Sequence, residues 1–271
     1  MEIVLVTFAD KAFENSRKEI IKEAKRLKYF SKYFSYTPSD LPLEVRESLF
    51  LKGKKGLGYW VWKPIIIKMS LERIQEGDVL VYVDSGSKLQ ESFIWKEWLG
   101  ELNSKNSIFF RYNSSVDYKW HSFGINSTKL GYWCHQTLKD YFDNRKSNID
   151  WYSIDKLLAG VFFIKKSKEN NIINKWSDLA LTQIQLFADE IIEVTQDKFN
   201  SHRHDQSVLS ILVHLYSDEE TLILDEIFES STSSYDSPIL TVRRKLIEIP
   251  FVVRVKLKLS QIIYTIFNNN N

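Results

Sequence analysis

Two runs of apolar, largely β-branched residues, IVLVTF at Ile3–Phe8 and VLVYV at Val79–Val83, constrain the fold of this 271-residue chain more than any other feature. Neither alternates polar with apolar residues, as a strand with one wet face would. Both read as strands buried on two faces, which proteins build by covering a parallel sheet with helices. A covering helix is expected from about Phe13 to Phe30, where Ile20, Ala24 and Leu27 recur at helical spacing among Lys, Arg and Glu. Pro64 suits the first residue of a second helix running to about Gln75, because its missing N–H costs nothing there, and Gly77 is expected to end that helix. Further strands are expected at Ser107–Phe110 and Ala159–Ile164. The second leads into a helix with Ile172, Trp176, Leu179, Ala180, Ile184 and Phe187 on one face, and another helix follows Asp205 with Val208, Leu212 and Leu215. Strands alternating with helices predict an α/β domain with a mostly parallel sheet, spanning residues 1–240.

Ligands of such sheets sit outside the carboxyl ends of the strands. That rule places Thr7 to Asp10 and the turn Asp84-Ser85-Gly86 on one functional edge. A carboxylate ending a buried strand either caps the turn or faces a ligand, and the small residues after it let the backbone approach that ligand closely. Upstream, Tyr59, Trp60, Trp62 and Lys63 cluster before the Pro64 helix. Aromatic rings stack on bases and sugar faces and a lysine pairs with phosphate; two of these rings also fit a core role, and Trp60 is read as core, while Lys63 at a helix start is not. Downstream, SHRHDQSVLSIL (201–212) gathers two histidines, an arginine, an acid and an amide before an apolar helix, more polar chemistry than a core requires. The bland alternative is Asp205 as a helix N-cap.

Composition removes several classes. Lys plus Arg number 37 against 35 Asp plus Glu, so no global field argues for nucleic acid. The single cysteine, Cys134, excludes an internal disulfide and no Cys/His cluster has zinc-site spacing, which makes a reducing, cytoplasmic setting the expectation. The apolar run in MEIVLVTFAD is short and lacks a basic start and a cleavage site, so it reads as a strand, and no stretch approaches the roughly 18–20 apolar residues of a membrane span.

The segments GYWVWKPIIIKMSLERIQEGDVLVYVDSG, AGVFFIKK (159–166) and RHDQSVLSIL (203–212), taken in this order, resemble the GT-A nucleotide-sugar glycosyltransferases. The layout is similar to that of the glycogenin-like group, and the first and last segments resemble bacterial glycosyltransferases found among capsule and lipopolysaccharide genes. The resemblance implies a Rossmann-like GT-A domain that transfers a sugar, as a hexosyltransferase does, from a nucleotide-diphosphate donor such as a UDP-sugar to a saccharide acceptor. It implies Asp84 as the first acid of an acid-x-acid turn against the donor and a divalent cation, Mn2+ or Mg2+. Gly86 stands where the second acid belongs, so two arrangements remain open: Asp84 with His204 as metal ligands, or Lys63 and Arg203 meeting the diphosphate without metal. Ala159 and Gly160 match the close-approach strand beside the sugar, and Asp205 and Gln206 match the pair facing donor sugar and acceptor, as catalytic residues. Thr7, Phe8, Tyr59, Trp62, Ser85 and Arg203 complete the expected donor site; His202 is a further candidate, and His121 and His135 are weaker ones.

After the Ser-rich loop SSTSSYDS (230–237), residues 241–271 combine Arg243, Arg244, Lys245, Arg254, Lys256 and Lys258 with large apolar residues. As a helix after Pro250 this segment is amphipathic; as Val253–Leu259 it also alternates like an edge strand. Peripheral contact with the inner face of the cytoplasmic membrane through 241–267, with a lipid-linked acceptor, is one expectation, and docking of the segment onto the body of the protein is the other. The rival readings are a nucleotidyltransferase, which would carry a Gly-rich basic loop after strand one where this chain has Phe8-Ala9-Asp10-Lys11, and a non-catalytic carbohydrate-binding module.

Overall fold

The computed structural model describes residues 1–47, 55–116, 118, 128–146, 148–168, 170–189, 199–229 and 236–242. The expectations for His121 and for the basic segment from residue 243 onward lie outside these residues. The strands are β1 (Ile3–Phe8), β2 (Lys32–Tyr36), β3 (Val79–Val83), β4 (Lys88–Leu89), β5 (Ser107–Arg111), β6 (Val161–Lys165), β7 (Thr221–Asp225) and β8 (Ile239–Leu240). The helices are α1 (Glu14–Leu27), α2 (Leu43–Glu47), the helical turn α3 (Gly56–Tyr59), α4 (Trp62–Glu72), α5 (Ile94–Glu101), α6 (Gln136–Asp143), α7 (Asn171–Thr182) and α8 (Asp205–Tyr216).

Six strands form one sheet in the order β2-β1-β3-β6-β5-β7, and β4 with β8 forms a small antiparallel ribbon. The pairs β1–β2, β1–β3 and β5–β7 are parallel, whereas β6 runs antiparallel to both β3 and β5. Five strands thus share a direction, as the buried apolar runs predict, and one runs backward. The reversal matters for function, because it brings the amino end of β6 to the edge where the other strands have their carboxyl ends.

The absence of alternation in β1 and β3 has the expected cause. Val4, Val6, Leu80 and Tyr82 enter one apolar layer with α4, α7 and α8, while Leu5, Val79, Val81 and Val83 enter the opposite layer with α1 and α5. Both faces are dry. The edge strands β2 and β7 were not legible as apolar runs: each pairs on one side only and mixes polar with apolar residues, KYFSY and TLILD, with partial exposure along most of its length.

Boundaries differ from expectation in four places. Helix α4 starts at Trp62, so Pro64 is its third residue, still within the first turn where no intrahelical N–H partner is required. It stops at Glu72, and Gly77, with φ 87°, belongs instead to the turn that delivers the chain to β3, where Asp78 accepts hydrogen bonds from the Glu2 and Gln75 N–H groups. Ala159 and Gly160 precede β6 rather than lying within it, and Ile184–Leu186 forms a separate short turn after α7. Among the described residues, no helix is long and apolar enough to cross a membrane.

Candidate functional site

Four segments meet at the carboxyl edge of the sheet: the end of β3, the approach to β6, and the first turns of α4 and α8. Their charged residues converge on one atom. Lys63 Nζ, on the first turn of α4, lies 2.8 Å from Asp205 Oδ2, 3.3 Å from Asp84 Oδ1 and 3.0 Å from the Ala159 carbonyl oxygen. Of these three oxygens only that of Ala159 accepts an aligned hydrogen bond; the two carboxylates meet the ammonium as ion pairs. The Lys63 side chain is 3% exposed and that of Asp205 7%, but that of Asp84 is 45% exposed. Asp84 is therefore the member of the cluster that meets solvent.

Each position has a local reason. Asp84 ends β3 in a β-turn closed by a 2.9 Å bond from the Ser87 N–H to its carbonyl, as the turn reading expects. Its N–H donates to the Gly160 carbonyl at 2.8 Å, and its Oδ1 accepts from the Tyr82 hydroxyl at 2.6 Å. A Cβ on Gly160 would lie 2.9 Å from Asp84 Oδ2, so the missing side chain at Gly160 is what lets the carboxylate lie against β6. The close approach expected of Ala159-Gly160 is thus made to Lys63 and Asp84. Tyr82 is the functional neighbour that sequence reasoning missed; its alternation with Asp84 across one intervening residue is the signal that places both on one face.

Asp205 is the first residue of α8, not its N-cap, and it is 5% exposed. Burial raises its carboxyl pKa to about 6 against the opposing pull of Lys63. The Lys63 contact is an ion pair without the alignment of a hydrogen bond, which leaves Oδ2 with acceptor capacity. Burial works against the Lys63 charge, but Asp205 and Asp84 outweigh it and hold the ammonium pKa above its usual value. Gln206, next in α8, donates through Nε2 to the Leu157 carbonyl at 2.6 Å and to the Tyr112 hydroxyl at 3.4 Å.

The other candidates fall into two groups. Phe8 and Trp62 are buried and stacked at 3.8 Å with their planes 18° apart, and Trp62 Nε1 donates to the Gly56 carbonyl, so both act as core supports under the site. Thr7 and Ser85 are also buried, and Thr7 Oγ1 has no hydrogen-bond partner. The Arg203 guanidinium lies over the Trp133 ring at 4.8 Å, and its backbone N–H donates to Ser207 Oγ. Tyr59 and Trp60, both half-buried, stack on His204 at 5.0 Å and 5.4 Å.

The histidines form a buried column. His135 accepts at Nδ1 from the Leu138 N–H and stacks on His202 at 3.8 Å, and His202 meets His204 edge-on at 5.3 Å. Nε2 of His202 pairs with the Leu186 carbonyl at 3.0 Å and Nδ1 of His204 with the Phe187 carbonyl at 2.8 Å, while His204 Nε2 faces Asp189 at 3.7 Å. Burial, then His135 and His204, push the His202 pKa well below its usual value, and burial lowers that of His204. Both rings are held neutral.

Residues 56–60 all have positive φ, at 60°, 53°, 82°, 57° and 60°. They form a left-handed turn closed by bonds from the Tyr59 N–H to the Lys55 carbonyl at 2.7 Å and from the Trp60 N–H to the Gly56 carbonyl at 3.2 Å. For non-glycine residues such as Leu57, Tyr59 and Trp60 this conformation costs roughly 1–2 kcal/mol each.

A divalent cation held by the protein does not fit this donor set. Asp84 Oδ1 is engaged by Tyr82 and Lys63, the position two residues on is Gly86, and the His204 nitrogens face Phe187 and Asp189. Among the described residues, no group of three or more His, Cys, Asp or Glu is arranged to hold a metal ion.

No protein-family profile matches the chain. No curated protein matches it either. Among solved structures, it is similar to mouse xyloside xylosyltransferase 1 in its apo form, at 10% identity and TM-score 0.47, with 89% of this chain and 97% of that one covered. It is similar to a glycosyltransferase involved in the glycosylation of the major capsid of PBCV-1, at 10% identity and TM-score 0.45, covering 89% and 93%. It is also similar to the galactosyltransferase LgtC in complex with donor and acceptor sugar analogs, at 14% identity and TM-score 0.41, covering 83% and 74%. At these values the likeness carries no argument about this chain's chemistry.

Proposed function

We propose that this protein is a GT-A-like glycosyltransferase that moves a sugar from a nucleotide-diphosphate donor to a saccharide hydroxyl. The observation that carries the reading is the cluster of Lys63, Asp84 and Asp205 at the carboxyl edge of a mainly parallel sheet, where α/β proteins bind ligands. A structural ion pair does not require a second carboxylate, still less one nearly half exposed.

Glycosyl transfer breaks the bond from the anomeric carbon to the diphosphate oxygen and forms one to the acceptor oxygen, through an oxocarbenium-like sugar. Asp205 supplies a fixed negative charge for that cation, or takes the acceptor proton; with a pKa of about 6 it is mostly ionised at neutral pH for either task. Lys63 keeps Asp205 oriented and ionised within a buried site. Asp84, exposed between Gly86 and Gly160, marks the donor's place, and Tyr59 and Trp60 offer half-open rings on the same side of the sequence as Lys63. Gln206 lies one residue beyond Asp205, bonded to Tyr112 and Leu157, and with Asp205 matches the pair that the resemblance sets against donor sugar and acceptor. A role in cell-surface polysaccharide synthesis rests on the resemblance of residues 58–86 and 203–212 to capsule and lipopolysaccharide glycosyltransferases, and a lipid-linked acceptor on the basic amphipathic sequence of 241–267.

The test is a thermal-shift and donor-hydrolysis panel of UDP-, GDP-, CMP- and dTDP-sugars, each with and without Mn2+. One donor is expected to raise the melting temperature and to be turned over by the wild type but not by Asp84→Asn or Asp205→Asn. A shift that needs Mn2+ contradicts the poor fit of a cation to this donor set; a shift without it assigns the diphosphate charge to basic side chains. No shift and no turnover with any donor overturns the reading.

A further inference from the structure

Six non-glycine residues among those described have positive φ, and four of them, Leu57, Tyr59, Trp60 and His204, gather at one place. Two separate chain segments are held in costly conformations, and they touch each other ring to ring: His204 stacks on both Tyr59 and Trp60. Immediately after each segment comes the residue that makes the charge contact. Trp60 precedes Lys63 by three residues and His204 precedes Asp205 by one, and Lys63 Nζ meets Asp205 Oδ2 at 2.8 Å.

The backbone of His204, at φ 52° and ψ −123°, is of a kind that glycine adopts at far lower cost than any residue with a Cβ. A chain that needed only this bend would be better served by glycine. The imidazole is present instead, fixed at one nitrogen by the Phe187 carbonyl and on its face by Tyr59 and Trp60. The left-handed turn opposite is locked in the same manner: Trp62 Nε1 donates to the Gly56 carbonyl, and the Trp60 ring occupies the space a Cβ on Gly56 would need.

We propose that His204 is a positioning residue, whose stacking on Tyr59 and Trp60 fixes the start of α8 against the start of α4 and so sets the distance between Asp205 and Lys63. The inference rests on the reading of Asp205 as the carboxylate at the reacting carbon. It gives a purpose to the strain on both sides of the contact: each strained segment over-determines the other, and their junction is the place where two helices present their charges.

The test compares His204→Gly with His204→Phe. The glycine variant keeps the backbone conformation accessible and removes the ring; the phenylalanine variant keeps a flat ring and removes the bond to Phe187. In His204→Gly the crystal structure is expected to show Lys63 and Asp205 separated beyond their present contact, and kcat to fall by about 10-fold or more with donor KM little changed, as small misplacements of reacting groups produce. His204→Phe is expected to restore most of kcat. An intact Lys63–Asp205 contact in folded His204→Gly overturns the proposal, as does a His204→Phe variant that loses the contact while keeping its stack. The crystallographic readout is independent of turnover: if the wild type uses no nucleotide sugar, the glycosyltransferase reading fails, and the contact still decides whether His204 positions Asp205.

Discussion

Lys63 Nζ donates one hydrogen bond, to the Ala159 carbonyl, and lies between the carboxylates of Asp84 and Asp205, so Lys63 acts here as a strut between two carboxylates. Removing it leaves Asp205 buried without its counter-charge. Lys63→Met is expected to destabilise the fold by about 3–5 kcal/mol, the usual effect of breaking a buried pair from one side, measurable as a lower urea midpoint. Asp205→Asn keeps the shape and leaves the better-paired Lys63 with Asp84, so its expected stability loss is smaller while transfer falls by about 100-fold or more. A third substitution separates geometry from charge. In Gly160→Ala the new Cβ meets the carboxylate of the half-exposed Asp84, which must give up its contacts with Tyr82 and Lys63 to swing toward solvent, so stability is expected to fall by roughly 1–3 kcal/mol. The displaced carboxylate no longer faces the donor, and an increase of about 10-fold in donor Kd is expected by calorimetry.

At the scale of elements, the left-handed turn explains why the site was only partly legible in the sequence. The buried strands β1 and β3 and the covering helices follow from apolar runs and helical spacing; Asp84 stands out as an acid at a strand end, and Lys63 and Asp205 as charged residues among aromatic and polar clusters at helix starts. The edge strands β2 and β7 do not, because a strand paired on one side has no uniform burial to write into its residues. The reversal of β6 is equally silent, since a strand buried on both faces looks the same in either direction. Trp62 and Phe8 looked like ligand platforms and are core, a distinction that depends on which way α4 faces. The turn at residues 56–60 carries two glycines, yet nothing in GLGYW announces that Leu57, Tyr59 and Trp60 adopt the glycine-like conformation with them. It makes a prediction of its own. A methyl group on Gly56 would sit 2.4 Å from the Trp60 ring, which cannot move without leaving His204. Gly56→Ala is therefore expected to lower stability by roughly 1–3 kcal/mol and to change the tryptophan fluorescence of the native state, whereas the open surface position Gly100 is expected to accept alanine without loss.

Across the whole molecule, nearly balanced charge leaves the pH dependence of stability to the few groups whose protonation differs between folded and unfolded chains. His202 is held neutral with its pKa well below the usual 6.5, and His204 is lowered too. As pH falls below about 6.5 the unfolded chain binds protons at these positions that the folded chain refuses, so stability falls, at up to about 1.4 kcal/mol per pH unit for each fully protected ring. Asp205 works in the opposite sense. Its folded pKa of about 6 exceeds the usual 3.8, so between those values the folded chain takes up a proton that the unfolded chain does not, and stability is gained as pH falls. The two effects share the interval from about pH 6 down to 4, where they offset each other. Asp205→Asn removes the compensating member and leaves the histidines. Melting temperatures measured by calorimetry from pH 7.5 to 4.5 are therefore expected to fall more steeply in Asp205→Asn than in the wild type, with the curves diverging as pH drops through about 6. Parallel curves would mean that the carboxyl of Asp205 is not raised by its burial beside Lys63, and would remove the proton-accepting role while leaving its role as a fixed charge.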